Sequence, residues 1–199
     1  MLEKIQSLDT QLFLYLNNLG CPAYDDLWLL ITKQAYWTPF FLLLAYLLYQ
    51  KIGLKNLGIV LIFIALILLF CNESVELCKV IFKRLRPCNN PAIKDSIRIV
   101  HQSNTYSFFS GHAANSMATM TFLFLILKKQ YHYIFLIFLY PLIFAYSRIY
   151  LGVHYPTDIL TGYVFGGLYG IIFYKGYQYY LFRSGLKHSR NGQSIANRQ

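Results

Sequence analysis

Five long apolar runs dominate the chain: Trp37–Tyr49, Leu57–Leu77, Ala113–Leu127, Tyr133–Tyr146 and Ile159–Tyr174. Each is bounded by charges, aromatics or turn residues, the pattern of helices whose solvent is lipid. Four of these runs hold only 13–16 residues. A helix needs roughly 20 to cross about 30 Å of hydrocarbon, so the helices are predicted to extend into their polar flanks and to carry polar groups at the water interface. Residues 1–35 behave differently. Leu8, Leu12, Phe13, Leu16 and Leu19, then Leu27, Trp28, Leu30 and Ile31, recur near the amphipathic helical period, which predicts a segment lying on the membrane. A sixth crossing through Leu12–Ile31 is the alternative, opposed by Asn17, Asn18, Pro22, Asp25 and Asp26 in its middle. The expected fold is therefore all-α: a polytopic membrane helical bundle of five transmembrane helices, or six if that segment crosses. Its expected parts are an interfacial N-terminal segment (1–35), a membrane-embedded domain (36–182) and a basic cytoplasmic tail (183–199).

Composition strengthens this reading. Of 199 residues 56% are hydrophobic and only 13% charged, about half the soluble norm of roughly 25%. Mean hydropathy is +0.40. These values exclude a disordered chain, a collagen-like repeat and a free soluble enzyme. The formal charge of +10 would suggest a nucleic-acid partner in a soluble protein, but here the bilayer is the expected partner and nucleic acid is not. Cys21, Cys71, Cys78 and Cys88 lack paired Cys-x2-Cys spacing, so no zinc site is expected; a disulfide involving Cys88 stays open. Residues 1–20 contain no sustained apolar core ending in a cleavage site, so insertion through internal spans is expected.

Five spans place Lys51, Lys55, Lys128, Lys129 and the C-terminal cations on one side, and nine other basic residues with all eight acids on the opposite side. Lys79, Arg86 and Arg148, on that second side, are candidates for chemistry. Setting them aside leaves nine cations against six, which points Lys51, Lys128 and the tail to the cytoplasm. The other side then faces the periplasm or cell exterior, from a cell inner membrane.

Three polar groups fall on that outward side. The second run ends in Lys79-Val-Ile-Phe-Lys83-Arg84-Leu-Arg86-Pro87. Continued as a helix, Lys79, Lys83 and Arg86 would share a face at i, i+4 and i+7, converging positive charge suited to a phosphate dianion. Ser110-Gly111-His112 precedes the third run, where a helix N-terminus offers unpaired N–H groups to an anion, although a simple Ser cap explains the same residues. Ser147-Arg148 and His154-x3-Asp158 bridge the fourth and fifth runs. A carboxylate on one imidazole nitrogen fixes the tautomer and leaves the other as base or nucleophile. A structural His–Asp pair is the competing explanation. Ionisable residues at a membrane are costly, so convergence of all three groups on one side marks a functional site. Glu73 and Glu76 could neutralise the basic face or recognise a headgroup. The loop Cys88–Ser107, with Lys94, Arg98 and His101, is expected to meet the headgroup.

In its motifs the chain resembles the type 2 phosphatidic acid phosphatases, which share their fold and site with vanadium-dependent haloperoxidases. The family signature is K-x6-R-P, P-S-G-H and S-R-x5-H-x3-D. This chain has Lys79-x6-Arg86-Pro87, Phe109-Ser110-Gly111-His112 and Ser147-Arg148-x5-His154-x3-Asp158, over about residues 55–180. The single departure is Phe109 for Pro, which bears on the stiffness of the turn before Ser110. The resemblance implies a hydrolase in which His154 attacks phosphorus to form a phosphohistidine and Asp158 orients it. His112 would protonate the leaving group and later activate water. Lys79, Arg86, Ser110, Gly111 and Arg148 would hold the phosphoryl oxygens, with no metal and no cofactor. The implied substrate is a membrane lipid phosphate. Undecaprenyl pyrophosphate or a lipid A phosphate is favoured, with phosphatidylglycerol phosphate or phosphatidic acid as the alternative and a non-catalytic lipid-binding or transport protein less favoured.

Overall fold

A computed structural model describes residues 2–185, and the basic tail beyond lies outside the described residues. Helices account for all the regular structure among the described residues. Helix α1 spans Leu2–Asn18 and α2 spans Asp25–Ile31. The helical segment Thr38–Phe82 breaks at Gly53, where φ is 72° and ψ 171°. Only glycine reaches that conformation without strain, and it divides the segment into α3 (38–52) and α4 (54–82). Leu44 and Leu48 on one arm line the same cavity as Leu61, Ile64 and Leu68 on the other, so the arms run back alongside each other. Helix α5 is Gly111–Leu127, α6 is Leu139–Tyr150 after a 3-10 turn at Ile134–Phe138, and α7 is Pro156–Arg183. The five apolar runs are thus five helical segments. As expected, α4 and α7 reach past the uncharged cores into polar flanks.

The tightest packing joins α5 to α7. Gly162, Gly166 and Gly170 recur every four residues on one face of α7, against Ala113, Ala114, Ala118 and Thr121 of α5. A Cβ on Gly166 would sit 2.4 Å from the Ala114 carbonyl oxygen, and one on Gly170 would sit 2.6 Å from that of Ala118. This small-residue stripe is what allows the backbones so close, a common solution where lipid removes the usual hydrophobic drive between helices. Its consequence lies at the helix ends, where the Ser110 N–H donates to the Asp158 carbonyl oxygen at 3.0 Å.

Large apolar side chains also cover the outside. Leu42, Leu61, Ile62, Leu69, Leu77, Leu160, Val164 and Ile172 are all exposed, a belt that needs lipid rather than water around it. Helix α1 is built in the same inverted sense. Asp9, Phe13 and Asn17, four residues apart, are its buried stripe, while Leu8, Leu12 and Leu19 face outward. The Asn17 amide donates to the carbonyls of Ile149, Tyr150 and Arg98, and its oxygen accepts the Arg98 N–H at 2.8 Å. The N-terminal segment is thereby tied to the end of α6 and to the loop before α5. All four cysteines are free thiols.

Candidate active site

The first basic group does not form one helical face. Lys83 adopts the left-handed conformation (φ 47°), and its N–H closes on the Lys79 carbonyl oxygen at 3.0 Å, which ends α4 at Phe82. Lys83 is left exposed, whereas the non-helical chain beyond it turns Arg86 inward to 5% exposure. The correction is therefore that Arg86 reaches the centre from a loop, and Lys83 does not converge with it.

Arg86 is fixed by four bonds. Nε donates to the Thr105 carbonyl at 2.9 Å and Nη2 to the Thr105 hydroxyl at 2.8 Å. Nη1 donates to the Val153 carbonyl and meets His154 Nε2, both at 3.0 Å. On the opposite side of the imidazole, Nδ1 lies 3.4 Å from Asp158 Oδ2. Asp158 is fully buried. Its Oδ2 also accepts the Tyr155 N–H at 2.9 Å and the Ser107 hydroxyl, and its Oδ1 accepts Arg84 Nη1 at 2.7 Å. Since guanidinium can only donate, Nε2 must present its lone pair to Arg86, and the proton must sit on Nδ1 facing the carboxylate. Burial pushes the His154 imidazole down to about 4; Asp158 pulls the other way, while Arg86 and Arg148 add to the lowering. The ring is neutral at pH 7.

That shift has a stability consequence. In the unfolded chain the ring titrates near 6.5, so between pH 6.5 and 4 the unfolded state binds more protons. The contribution is fully present above pH 6.5 and is lost as pH falls from there through 4. Melting of the detergent-solubilised protein should show a steeper fall in Tm from pH 7 to pH 4.5 for wild type than for His154→Gln.

Ser110, His112 and Arg148 lie near this pair. Ser110 is fully buried and caps α5, its hydroxyl accepting the Ala113 N–H at 3.4 Å. Gly111 starts the helix, where the unpaired N–H groups lie. The His112 ring stacks on Phe144, with centroids 4.8 Å apart. Arg148 is buried; its Nη1 donates to the Thr32 hydroxyl at 2.6 Å and its Nε has no partner among the described residues. Lys79 pairs with the exposed Glu76 at 2.7 Å, and Glu73 is exposed one turn earlier. Of the loop residues, Lys94 is exposed, whereas Arg98 is taken up by Asp25 of α2 at 2.8 Å. Phe109, in the place of proline, is buried and stacks on Phe165 of α7 at 5.3 Å, so packing rather than a ring closure holds that turn. Asp9, Thr32, Arg84, Thr105 and Ser107 all contact the centre or its partners; Arg84 lies in the basic group after the second run, but nothing in the local sequence marks the other four.

A model of the PAP2 superfamily matches residues 56–182, which include every residue of the three motifs. A lipid A 4'-phosphatase of Bacteroides thetaiotaomicron is 33% identical over 179 residues, covering 87% of this chain and 79% of the relative. The crystal structure of Aquifex aeolicus LpxE superposes with a TM-score of 0.67 at 26% identity, over 84% of this chain and 95% of that one. A transmembrane PAP2-type phosphatidylglycerolphosphate phosphatase from Bacillus subtilis has the same fold, with a TM-score of 0.65 at 21% identity over 94% and 90% of the two chains. With its motifs brought together around one buried histidine and a family match across most of its length, the chain belongs to the PAP2 superfamily and is a membrane phosphatase.

Proposed function

We propose that this phosphatase removes a phosphate group from a lipid A headgroup through a phosphohistidine on His154. The tautomer of His154 carries the assignment: Asp158 holds the proton on Nδ1, and the Nε2 lone pair points to Arg86, where a phosphoryl group would lie. Nε2 attacks phosphorus while the bond from phosphorus to the lipid oxygen breaks, and His112 gives its proton to that oxygen. A water then attacks the phosphohistidine, loses its proton to His112, and frees inorganic phosphate. Arg86, Arg148 with its unpartnered Nε, Lys79, the Ser110 hydroxyl and the Gly111 N–H stabilise the charge on the equatorial oxygens. Asp158 balances the positive charge that develops on the ring.

Lipid rather than soluble substrate is supported by a cavity of about 220 Å³ below the centre. Its walls include Leu44, Leu48, Leu68 and Phe144, and Phe144 is also the stacking partner of His112. An acyl chain entering there would leave its phosphate at the imidazoles. Lipid A is favoured by the Bacteroides relative. In this reading residues 1–35 lie on the outer surface of the inner membrane, residues 36–182 are the phosphatase with five spans and an outward-facing site, and exposed Lys94, Glu73 and Glu76 meet the headgroup.

The test is phosphate release by the purified chain from lipid A, undecaprenyl pyrophosphate, phosphatidylglycerol phosphate and phosphatidic acid, beside a His154→Ala control. Release from lipid A above the others, absent in the control, is expected. Preference for another lipid would overturn the substrate, and release that persists in the control would overturn the mechanism.

A further inference from the structure

The family match begins at residue 56, yet a residue near the N-terminus is bonded into the centre. We infer that Arg84 is a positioning residue that fixes the Asp158 carboxylate against His154, and that Asp9 of α1 holds Arg84 there, so the N-terminal segment is part of the working site. The inference rests on the phosphohistidine reading above.

Asp158 uses its two oxygens differently. Oδ2 takes the Tyr155 N–H, the Ser107 hydroxyl and the His154 ring, while among the described residues Arg84 is the only side chain bonded to Oδ1. Removing Arg84 would leave a fully buried carboxylate oxygen unpaired, free to rotate away from the imidazole. Arg84 is itself held from three directions. Its Nη1 also reaches the Thr157 hydroxyl at 2.8 Å, its Nη2 reaches Asp9 Oδ2 at 2.5 Å, and the guanidinium lies 4.0 Å from the centroid of the Tyr155 ring. Among the described residues Asp9 bonds Arg84 and Thr157. Its remaining bonds accept the N–H and hydroxyl of Thr157, at 2.9 and 2.6 Å, in the first turn of α7 beside Asp158. A helix that only needed to pack on α7 would bury an apolar residue at this point. Asp9 is instead a carboxylate at 4% exposure, a costly choice unless its charge is used.

The experiment measures phosphate release from lipid A by the full chain in detergent, for wild type, Asp9→Asn, Arg84→Gln and Arg84→Lys, with Tm for each. Asp9→Asn should lower kcat about tenfold and Arg84→Gln about 100-fold, with KM changed less than about threefold. Arg84→Lys should recover part of the loss. The acid limb of the pH profile supplies a readout that mere packing would not move. His154 is faced by Asp158 of α7, Arg86 of the preceding loop, Arg148 of α6 and His112 of α5. With Asp158 free to turn away from Nδ1, the ring loses the partner that favours its proton, so the limb should move to lower pH in Arg84→Gln. Wild-type kcat and profile in Asp9→Asn would overturn the inference alone. So would losses that track Tm with the limb unmoved. Absence of any release by wild type would take down the functional reading together with it.

Discussion

His154→Ala is expected to leave a folded protein that releases phosphate from no lipid, a loss of about 10⁴-fold or more because the proposed nucleophile is gone. His112→Ala should differ in kind. In the proposed mechanism the His112 imidazole serves the leaving oxygen and later the water, so a substrate with a good leaving group would need it less in the first step. Incubation with a radiolabelled p-nitrophenyl phosphate should therefore trap label on His112→Ala, acid-labile as a phosphoramidate is, and none on His154→Ala. Label on His154→Ala would move the nucleophile elsewhere. Equal silence from both variants, with both folded, would assign His112 to binding rather than proton transfer.

The second large effect comes from packing. At Gly166 a new Cβ would meet the Ala114 carbonyl oxygen at 2.4 Å, and that neighbour is backbone with no freedom to swing aside. Gly166→Val should thus force α5 and α7 apart at a cost of about 3 kcal/mol. Because α5 carries Ser110 and His112 while α7 carries Asp158, activity should fall with Tm. The adjacent Gly167 has nothing within 4 Å of its hypothetical Cβ. Gly167→Ala should stay within about 0.5 kcal/mol of wild type. Monodispersity and melting in detergent distinguish the two, and equal tolerance at both positions would refute the small-residue seam.

The three motifs were legible because each is local. Lys79 and Arg86, Ser110 to His112, and Arg148 to Asp158 lie close in sequence, and apolar periodicity alone sets which membrane face their flanking helices share. The Asp158–His154 contact follows directly from its four-residue spacing at the start of α7. Extrapolating the α4 helix through Arg86 failed for an equally local reason. A single left-handed residue at Lys83 ends the helix, and neither charge spacing nor hydropathy reports a backbone dihedral.

The partners of Asp158 were not legible. Arg84 and Ser107 are 74 and 51 residues away from it, and Asp9, bonded to Arg84, is 75 residues from that arginine. Asp9 sits in a helix whose apolar residues suggest a buried apolar stripe, but lipid reverses the usual assignment. Leu8 and Leu12 can face outward at little cost, which leaves the inner face free for a carboxylate and an amide. The loop before α5 shows the same limit, since Lys94 and Arg98 are alike in sequence and Arg98 is claimed by Asp25 of α2.

The sequence by itself determined that the chain is a helical membrane protein and marked the residues proposed to carry its phosphate chemistry, because hydropathy and motif spacing are properties of contiguous chain. Only the tertiary structure decided what orients those residues: the glycine seam that seats α5 on α7, and the buried ion pairs that bring residues 9, 84 and 158 together. Such contacts depend on distance in space, and a chain folded back through several helices leaves that distance unwritten in its order.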